Sequence, residues 1–349
     1  MAVPARLPPR IYACTMDLSV AFLGTGGSVP TARRATACVL VMRGGDRIMF
    51  DCGEGSQRQM HRSLGLVALD EIYITHLHAD HYLGLPGLLK TYDLQSREVP
   101  LKIYGPPGMR ELFGALRRVI GKTRYEVEVN DLAPEQAVEH GDYEVRGFPV
   151  EHRMTAFGYR LGEQERRGRF DKQAAERLGI PEGPAFSALE RGEEVQGADR
   201  LVRAEDVIGA PRPGRTIVVT GDTAPCMATA EAAKGAELLI HDGSFAEEEA
   251  QRAAETGHST AGQAAALARE AEVQMLALVH VSSRYNVGQV LEEARAVFEP
   301  TIAPRDFDLV EIPFSERGGP LLVPNGARHG ARERREAPQA DPAEAMPSD

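Results

Sequence analysis

Short apolar runs alternate along the chain with stretches whose apolar residues recur at helical spacing. The runs predict strands at Leu18–Leu23, Val39–Met42, Arg47–Phe50, Glu71–Thr75, Leu101–Tyr104, Tyr125–Val129 and Tyr143–Val150. Further strands are predicted at Thr216–Thr220, Glu237–Ile240, Met275–Val279 and Asp308–Ile312. Helical spacing falls at Gly55–Leu64, Leu83–Leu94, Met109–Ile120, Ala224–Ala233, Ala261–Glu270 and Val287–Phe298. This alternation predicts a layered α/β domain over residues 16–325. Two regions break the rhythm. Gly162–Pro213 is charged, interrupted by Gly and Pro, and too long for an ordinary connection, so it reads as functional or partly disordered. The tail, 326–349, is charged and rich in Ala and Pro, and is expected to be disordered.

Composition narrows the picture. A chain of 349 residues can bury a sizeable core, and its formal net charge of −11 argues against a general polyanion binder, so no DNA partner is expected. The four cysteines form no C-x-x-C pair, which disfavours a disulfide scaffold or a thiolate zinc knuckle and fits a reducing compartment. No apolar run approaches the ~18 residues of a membrane span. Residues 1–15 hold arginines and prolines without the apolar centre of a secretory signal, and read as a loose extension, with Met16 as an alternative start. A cytoplasmic protein without membrane contact is expected.

The chemistry concentrates in Thr75-His76-Leu77-His78-Ala79-Asp80-His81, directly after a predicted strand. Imidazoles at i and i+2 on a fixed loop can converge on one metal, while a carboxylate and a third imidazole serve a second ion. Nitrogen and oxygen ligands without thiolates suit zinc, with manganese or iron as alternatives. His152, Asp222 and His280 each follow another predicted strand. Alone, each reads as readily as a turn or cap residue; with the cluster they suffice for a two-metal site with a bridging carboxylate. His61, His140 and His329 lack such context and are expected on the surface.

These segments resemble the metallo-β-lactamase superfamily and, within it, the ribonuclease Z family of tRNA 3′-processing endoribonucleases. The resemblance runs from about Met16 to Pro313. It rests on Leu23-Gly-Thr-Gly-Gly-Ser-Val-Pro30, Phe50-Asp-Cys-Gly-Glu-Gly-Ser-Gln57, the His76–His81 run, Glu151-His152, Ala156-Phe-Gly-Tyr159, Gly221-Asp-Thr223, Gly257-His-Ser-Thr260 and His280-Val-Ser-Ser-Arg-Tyr285. It implies an αββα sandwich with an inserted protruding arm at about 162–213. It places His76, His78 and His152 on one zinc and Asp80, His81 and His280 on the other, with Asp222 bridging and two zinc ions per subunit. Asp51 is expected to orient a ligand histidine, although a turn before Gly53 explains it equally well. Two cations sharing a water would lower its pKa and hold the hydroxide in line with the phosphodiester. His258 is implied as the acid that protonates the leaving 3′-oxygen, oriented by Asp242; the family usually carries Glu there, so a longer or water-mediated contact is expected. Asp80 is a further candidate proton acceptor.

The arm is the part the family uses to grip the tRNA elbow. Leu178-Gly-Ile-Pro-Glu-Gly-Pro184 resembles its Gly-Pro motif, which singles out Gly183 and Pro184. Arg166, Arg167, Arg169 and Lys172 against Asp171 leave a local charge of +3 that could meet phosphates, although the stretch 162–210 as a whole holds eight basic and eleven acidic residues. Arg33, Arg34, Arg117, Arg118, Lys122 and Arg124 would extend an RNA path or simply solvate helix surfaces. The expectation is therefore an enzyme that cuts the 3′ trailer from a tRNA precursor, leaving a 3′-hydroxyl, as a homodimer whose arms serve the partner's site. A small-molecule hydrolase of a phosphodiester, thioester or lactone would keep the ligands but has no use for the arm. A non-catalytic RNA-binding relative would typically have lost ligands, and none is missing.

Overall fold

The computed structural model describes residues 18–325; the expectations for 1–15 and 326–349, with Cys14 and His329, lie outside the described residues. The strands are β1 Leu18–Gly24, β2 Cys38–Arg43, β3 Asp46–Phe50, β4 Glu71–Tyr73, β5 Leu101–Gly105, β6 Val127–Asp131, β7 Ala137–Glu139, β8 Tyr143–Pro149 and β9 Phe157–Glu163. They continue with β10 Val195–Gln196, β11 Leu201–Val202, β12 Thr216–Val219, β13 Leu238–Asp242, β14 Met275–Val279, β15 Thr301–Ile302, β16 Leu309–Glu311 and β17 Leu321–Val323. One sheet runs β17-β16-β1-β2-β3-β4-β5-β6, the other β15-β14-β13-β12-β9-β8-β7, and β10-β11 is a separate hairpin.

The central strands are buried on both faces, which is why they read as near-continuous apolar runs. In the first sheet Leu23, Leu40, Met49, Ile72 and Ile103 pack with Met60, Leu88 and Phe113 from helices Ser56–Ser63, Leu85–Leu94 and Met109–Ile120. Their strand neighbours Phe22, Val41, Phe50 and Tyr73 are buried on the other face. There the Tyr159 ring of β9 lies tilted 5.8 Å from Phe50 and edge-on 5.2 Å from Tyr73, and its hydroxyl donates to Ile74 O at 2.7 Å. Val218, Leu239, Leu276 and Leu278 of the second sheet pack against Ala264, Ala268, Val290 and Ala294 of helices Ala261–Glu270 and Val287–Val297. This is the αββα sandwich. Its alanine-rich outer helices approach closely because small side chains allow it.

Register positions the chemistry. β12, β13, β14 and β15 are parallel, with Val219 beside Ile240 and Asp242 beside Val279, so Asp222, Asp242 and His280 all leave the same carboxyl edge. β3, β4 and β5 are likewise parallel, with Phe50 beside Tyr73, which brings Asp51 next to the Thr75–His81 segment. Carboxyl ends of parallel strands are where α/β sheets gather functional loops.

Glu139–Glu144 and Leu161–Arg215 form a second compact unit. Of the two readings of this stretch, partial disorder is corrected. Helices Lys172–Arg177, Pro184–Glu190 and Ala204–Val207 and the β10–β11 hairpin surround a core of Ala175, Ile180, Leu189, Val202 and Val207. Elements this short show no readable helical stripe. Asp171 caps the first helix by accepting from Ala174 N at 2.9 Å, and a buried Glu163–Arg215 pair at 2.7 Å closes the stem.

Candidate metal centre

Each expected ligand is delivered by a local device. The one-turn helix Ala79–Tyr82 begins after His78 and turns Asp80 and His81 back toward His76. His280 sits at φ 59 and Asp51 at φ 57, left-handed backbone that non-glycine residues adopt only where the surroundings hold them. Gly221, at φ +64, precedes Asp222, and a Cβ there would lie 2.6 Å from the Thr75 side chain.

The structure brings the seven candidate ligands into two sets. His76, His78, His152 and Asp222 offer donor atoms within 4.8 Å of one another, and so do Asp80, His81 and His280. Asp222 Oδ2 faces both sets, at 3.6 Å from His76 Nε2, 3.5 Å from His81 Nε2 and 3.4 Å from His280 Nε2. Asp80 Oδ2 stands 3.4 Å from the Nε2 atoms of His81 and His280.

The donor set fits a cation. His152 Nδ1 donates to Gly257 O at 2.8 Å and His81 Nδ1 to Asp51 Oδ2 at 2.8 Å, so both rings aim a bare Nε2 inward. His76 Nε2 and His152 Nε2 approach His78 Nδ1 at 2.9 and 3.3 Å. His81 Nε2 and Asp222 Oδ1 are buried without a hydrogen-bond partner among the described residues. Converging lone pairs and orphaned buried atoms are what a metal ion satisfies.

Charge agrees. Burial, with His81 nearby, holds His76 down to about 2, the neutral form a ligand needs. Burial works against ionised Asp222, but His280 and His81 hold its carboxyl well below the usual range. For Asp80 burial likewise opposes, and hydrogen bonds from His280 and His81 prevail in the same direction. The carboxylates raise His81 and His280 against their burial, so the centre draws positive charge inward, protons or a metal in their place.

Beside the second set lies the His258–Asp242 pair. The longer or water-mediated contact expected from the shorter side chain is corrected: His258 Nδ1 donates directly to Asp242 Oδ2 at 2.7 Å. Strand β13 ends on Asp242 itself, fully buried, which brings the carboxylate close enough. Although burial opposes it, the Asp242 carboxylate raises His258 to about 9.

Asp51 is more than a turn residue. It accepts from His81 and from Thr75 N at 2.8 Å each. Thr75, Ser244 and the Gly257 carbonyl escape sequence reasoning as partners, although each adjoins a flagged residue or segment. Other expectations change. His140 is half-buried and stacked on Tyr143 at 4.5 Å rather than a surface residue. Arg34 is half-buried and donates to Pro304 O at 2.8 Å. Lys172 is paired with Glu182 at 2.5 Å, whereas Arg167, Arg169, Gly183 and Pro184 are exposed.

Comparison with known proteins places this geometry. The family model described as Anti-Pycsar protein Apyc1 matches residues 18–161. Ribonuclease Z of Methanosarcina acetivorans is 48% identical over 85% of this chain and 99% of its own. The crystal structure of the short form of human tRNase Z is 27% identical, with a TM-score of 0.63 over 84% of this chain and 99% of that one. The metallo-β-lactamase-fold protein YhfI of Bacillus subtilis, 19% identical with a TM-score of 0.63 over 84% of this chain and 99% of its own, shares the fold. At that identity and coverage, the chain belongs to the ribonuclease Z family, and its αββα sandwich is the metallo-β-lactamase fold.

Proposed function

We propose that the protein is a metal-dependent endoribonuclease that removes the 3′ trailer from tRNA precursors and leaves a 3′-hydroxyl on the tRNA. The observation that carries this reading is the pair of donor sets sharing Asp222 beside the His258–Asp242 pair, in a chain of this family. His76, His78 and His152 would hold one zinc ion, Asp80, His81 and His280 a second, and Asp222 both. Bound there, the metal supplies Lewis acidity, activating water and neutralising charge on the phosphoryl oxygens. Asp242 anchors His258 through Nδ1, which leaves Nε2 to give its proton to the departing 3′-oxygen. Asp80, only half-buried, would serve as a further proton acceptor besides its ligand role.

The cleft next to His258 and His280 supports a macromolecular substrate. Its volume is about 1830 Å³, beyond the ~300–1,000 Å³ of small-molecule sites. Arg33, Arg58, Arg62, Arg252, Arg284 and Arg305 line it against Glu54 and Asp306, a cationic wall on an acidic protein. We assign the unit around Leu161–Arg215 to tRNA gripping, in a cytoplasmic homodimer whose subunits each hold tRNA for the other's site. No helix among the described residues is long and apolar enough to cross a membrane.

The test is incubation of zinc-loaded protein with a labelled tRNA precursor lacking CCA, mapping product ends beside His78→Ala. A single metal-dependent cut near the discriminator base is expected, with more than ~10²-fold less product from the variant. Intact precursor alongside hydrolysed small phosphodiesters would replace this reading with a small-molecule hydrolase.

A further inference from the structure

Two carboxylates near the centre are built into the same arrangement. Asp51 takes the Thr75 backbone N–H at 2.8 Å and the Thr75 hydroxyl at 2.9 Å, and holds His81 Nδ1 directly at 2.8 Å. The Thr75 hydroxyl, its proton spent on Asp51, can only accept from His76 Nδ1 at 3.0 Å. One carboxylate thus fixes two imidazoles, one directly and one through a hydroxyl. Asp242 repeats the pattern on the other sheet. It takes the Ser244 N–H at 2.9 Å and the Ser244 hydroxyl at 2.6 Å, and holds His258 Nδ1 at 2.7 Å. The Ser244 oxygen then faces His280 Nδ1 at 2.8 Å.

We propose that Ser244 is a positioning residue that extends the hold of Asp242 from His258 to His280, fixing the His280 ring with Nδ1–H on the hydroxyl and Nε2 toward the metal. The competing donation from the Ser244 hydroxyl to His280 O is longer, at 3.1 Å. Asp242 has no lone pair left for a metal. Oδ1 accepts twice from Ser244, and Oδ2 accepts from His258 and from Thr223 N at 3.1 Å. Although it lies within 4.8 Å of donor atoms of Asp222, His258 and His280, it therefore reaches the centre through these hydrogen bonds and its charge rather than as a ligand. The consequence is a physical link between the His280 side of the metal centre and the proton donor: both read one buried carboxylate. Ring nitrogens of metal-bound histidines need such partners, and losing one typically weakens metal binding about 10–100-fold.

The inference rests on the two-metal reading above, and the test separates the two. Zinc content is measured across a chelator titration of the full-length wild type, Ser244→Ala, Ser244→Thr and His258→Ala. Wild-type stoichiometry reports on the two-metal reading; the shift between variants reports on the relay whatever that stoichiometry is. Ser244→Ala is expected to release one zinc at about 10-fold lower chelator or less, with the other retained. Ser244→Thr keeps the hydroxyl, as Thr75 does in the parallel arrangement, and should restore retention. His258→Ala removes that ring's own contacts with Asp242 and with the Ser244 hydroxyl at 3.3 Å, leaves the path from Asp242 through Ser244 to His280 in place, and should keep both ions. Unshifted release in Ser244→Ala, equal loss of both ions where the wild type holds two, or failure of Ser244→Thr to restore retention would each overturn the assignment.

Discussion

The body carrying the donor cluster and the unit of Glu139–Glu144 and Leu161–Arg215 solve the problem of burial differently. In the body, strands such as Leu18–Gly24 are buried along their whole length, between a sheet face and a helix layer. The smaller unit is built around a cluster of five buried apolar side chains, with helices of six, seven and four residues and a hairpin of two residues per strand. So small a core gives a marginal structure on its own, and the buried Glu163–Arg215 pair fixes where its chain ends meet. The difference teaches a division of labour. Every candidate ligand and proton carrier stands on the heavily buried body, where rigid strand ends can hold geometry. The unit offers charged surface and an exposed Gly183-Pro184 turn.

The largest effect expected from that division comes from Asp222→Ala. Asp222 faces both donor sets, so its loss should reduce cleavage more than ~10²-fold on a tRNA precursor and on a chromogenic phosphodiester alike, with metal content falling in parallel. Parallel kinetics on the two substrates check this. Loss confined to the tRNA would break the comparison, since the body would then not be the seat of bond cleavage.

A smaller, selective effect should follow excision of Gln164–Gly214. Glu163 N donates to Arg215 O at 2.9 Å, so an Asn-Gly turn can close the gap. Activity on tRNA should fall about 10-fold or more, mainly through KM, as expected when phosphate contacts are removed. Hydrolysis of the small phosphodiester should stay within about 2-fold of wild type. Equal tRNA cleavage by the shortened protein would leave the unit without a role in substrate binding.

How much of this was legible in the sequence follows the same divide. Met275–Val279, Met109–Ile120 and Ala261–Glu270 match the observed elements end to end. The last is announced by Thr260 and Gln263, which cap each other at 2.9 and 3.1 Å. Strand β9 escapes because Gly158 and Gly162 weaken its local preference. Gly158 is there for a tertiary reason: a Cβ would sit 2.3 Å from the Phe148 ring. The helix expected from Ala224 starts only at Met227, after Pro225 and an extended Cys226. The candidate ligands were legible because strand ends are readable and His and Asp at several of them are unusual. Thr75 and Ser244 were not, since a hydroxyl's partner depends on which strands lie side by side. The short elements of the smaller unit fall below the length at which periodicity speaks.

The smallest expected effect concerns the cations of that unit, and it decides how the unit would meet RNA. Of its arginines and lysine, Lys172, Arg191, Arg200 and Arg203 each have a carboxylate within 2.8 Å, so their charge is largely answered locally. Such exposed pairs contribute little to stability, about 0–1 kcal/mol, but they lower the potential a phosphate would feel. Arg167 is exposed and has no ion pair among the described residues. Arg167→Gln should therefore weaken tRNA binding only about 2–3-fold at moderate salt and reduce the slope of log K against log salt by about 0.7–0.9, the share of one phosphate contact. Lys172→Gln should change the slope less, because Glu182 already offsets the ammonium. Binding isotherms at several salt concentrations check both. Unchanged slopes in both variants, with binding still lost on excision, would shift recognition from charge to the shape of the Gly183-Pro184 turn, and the unit would then read its substrate by contour.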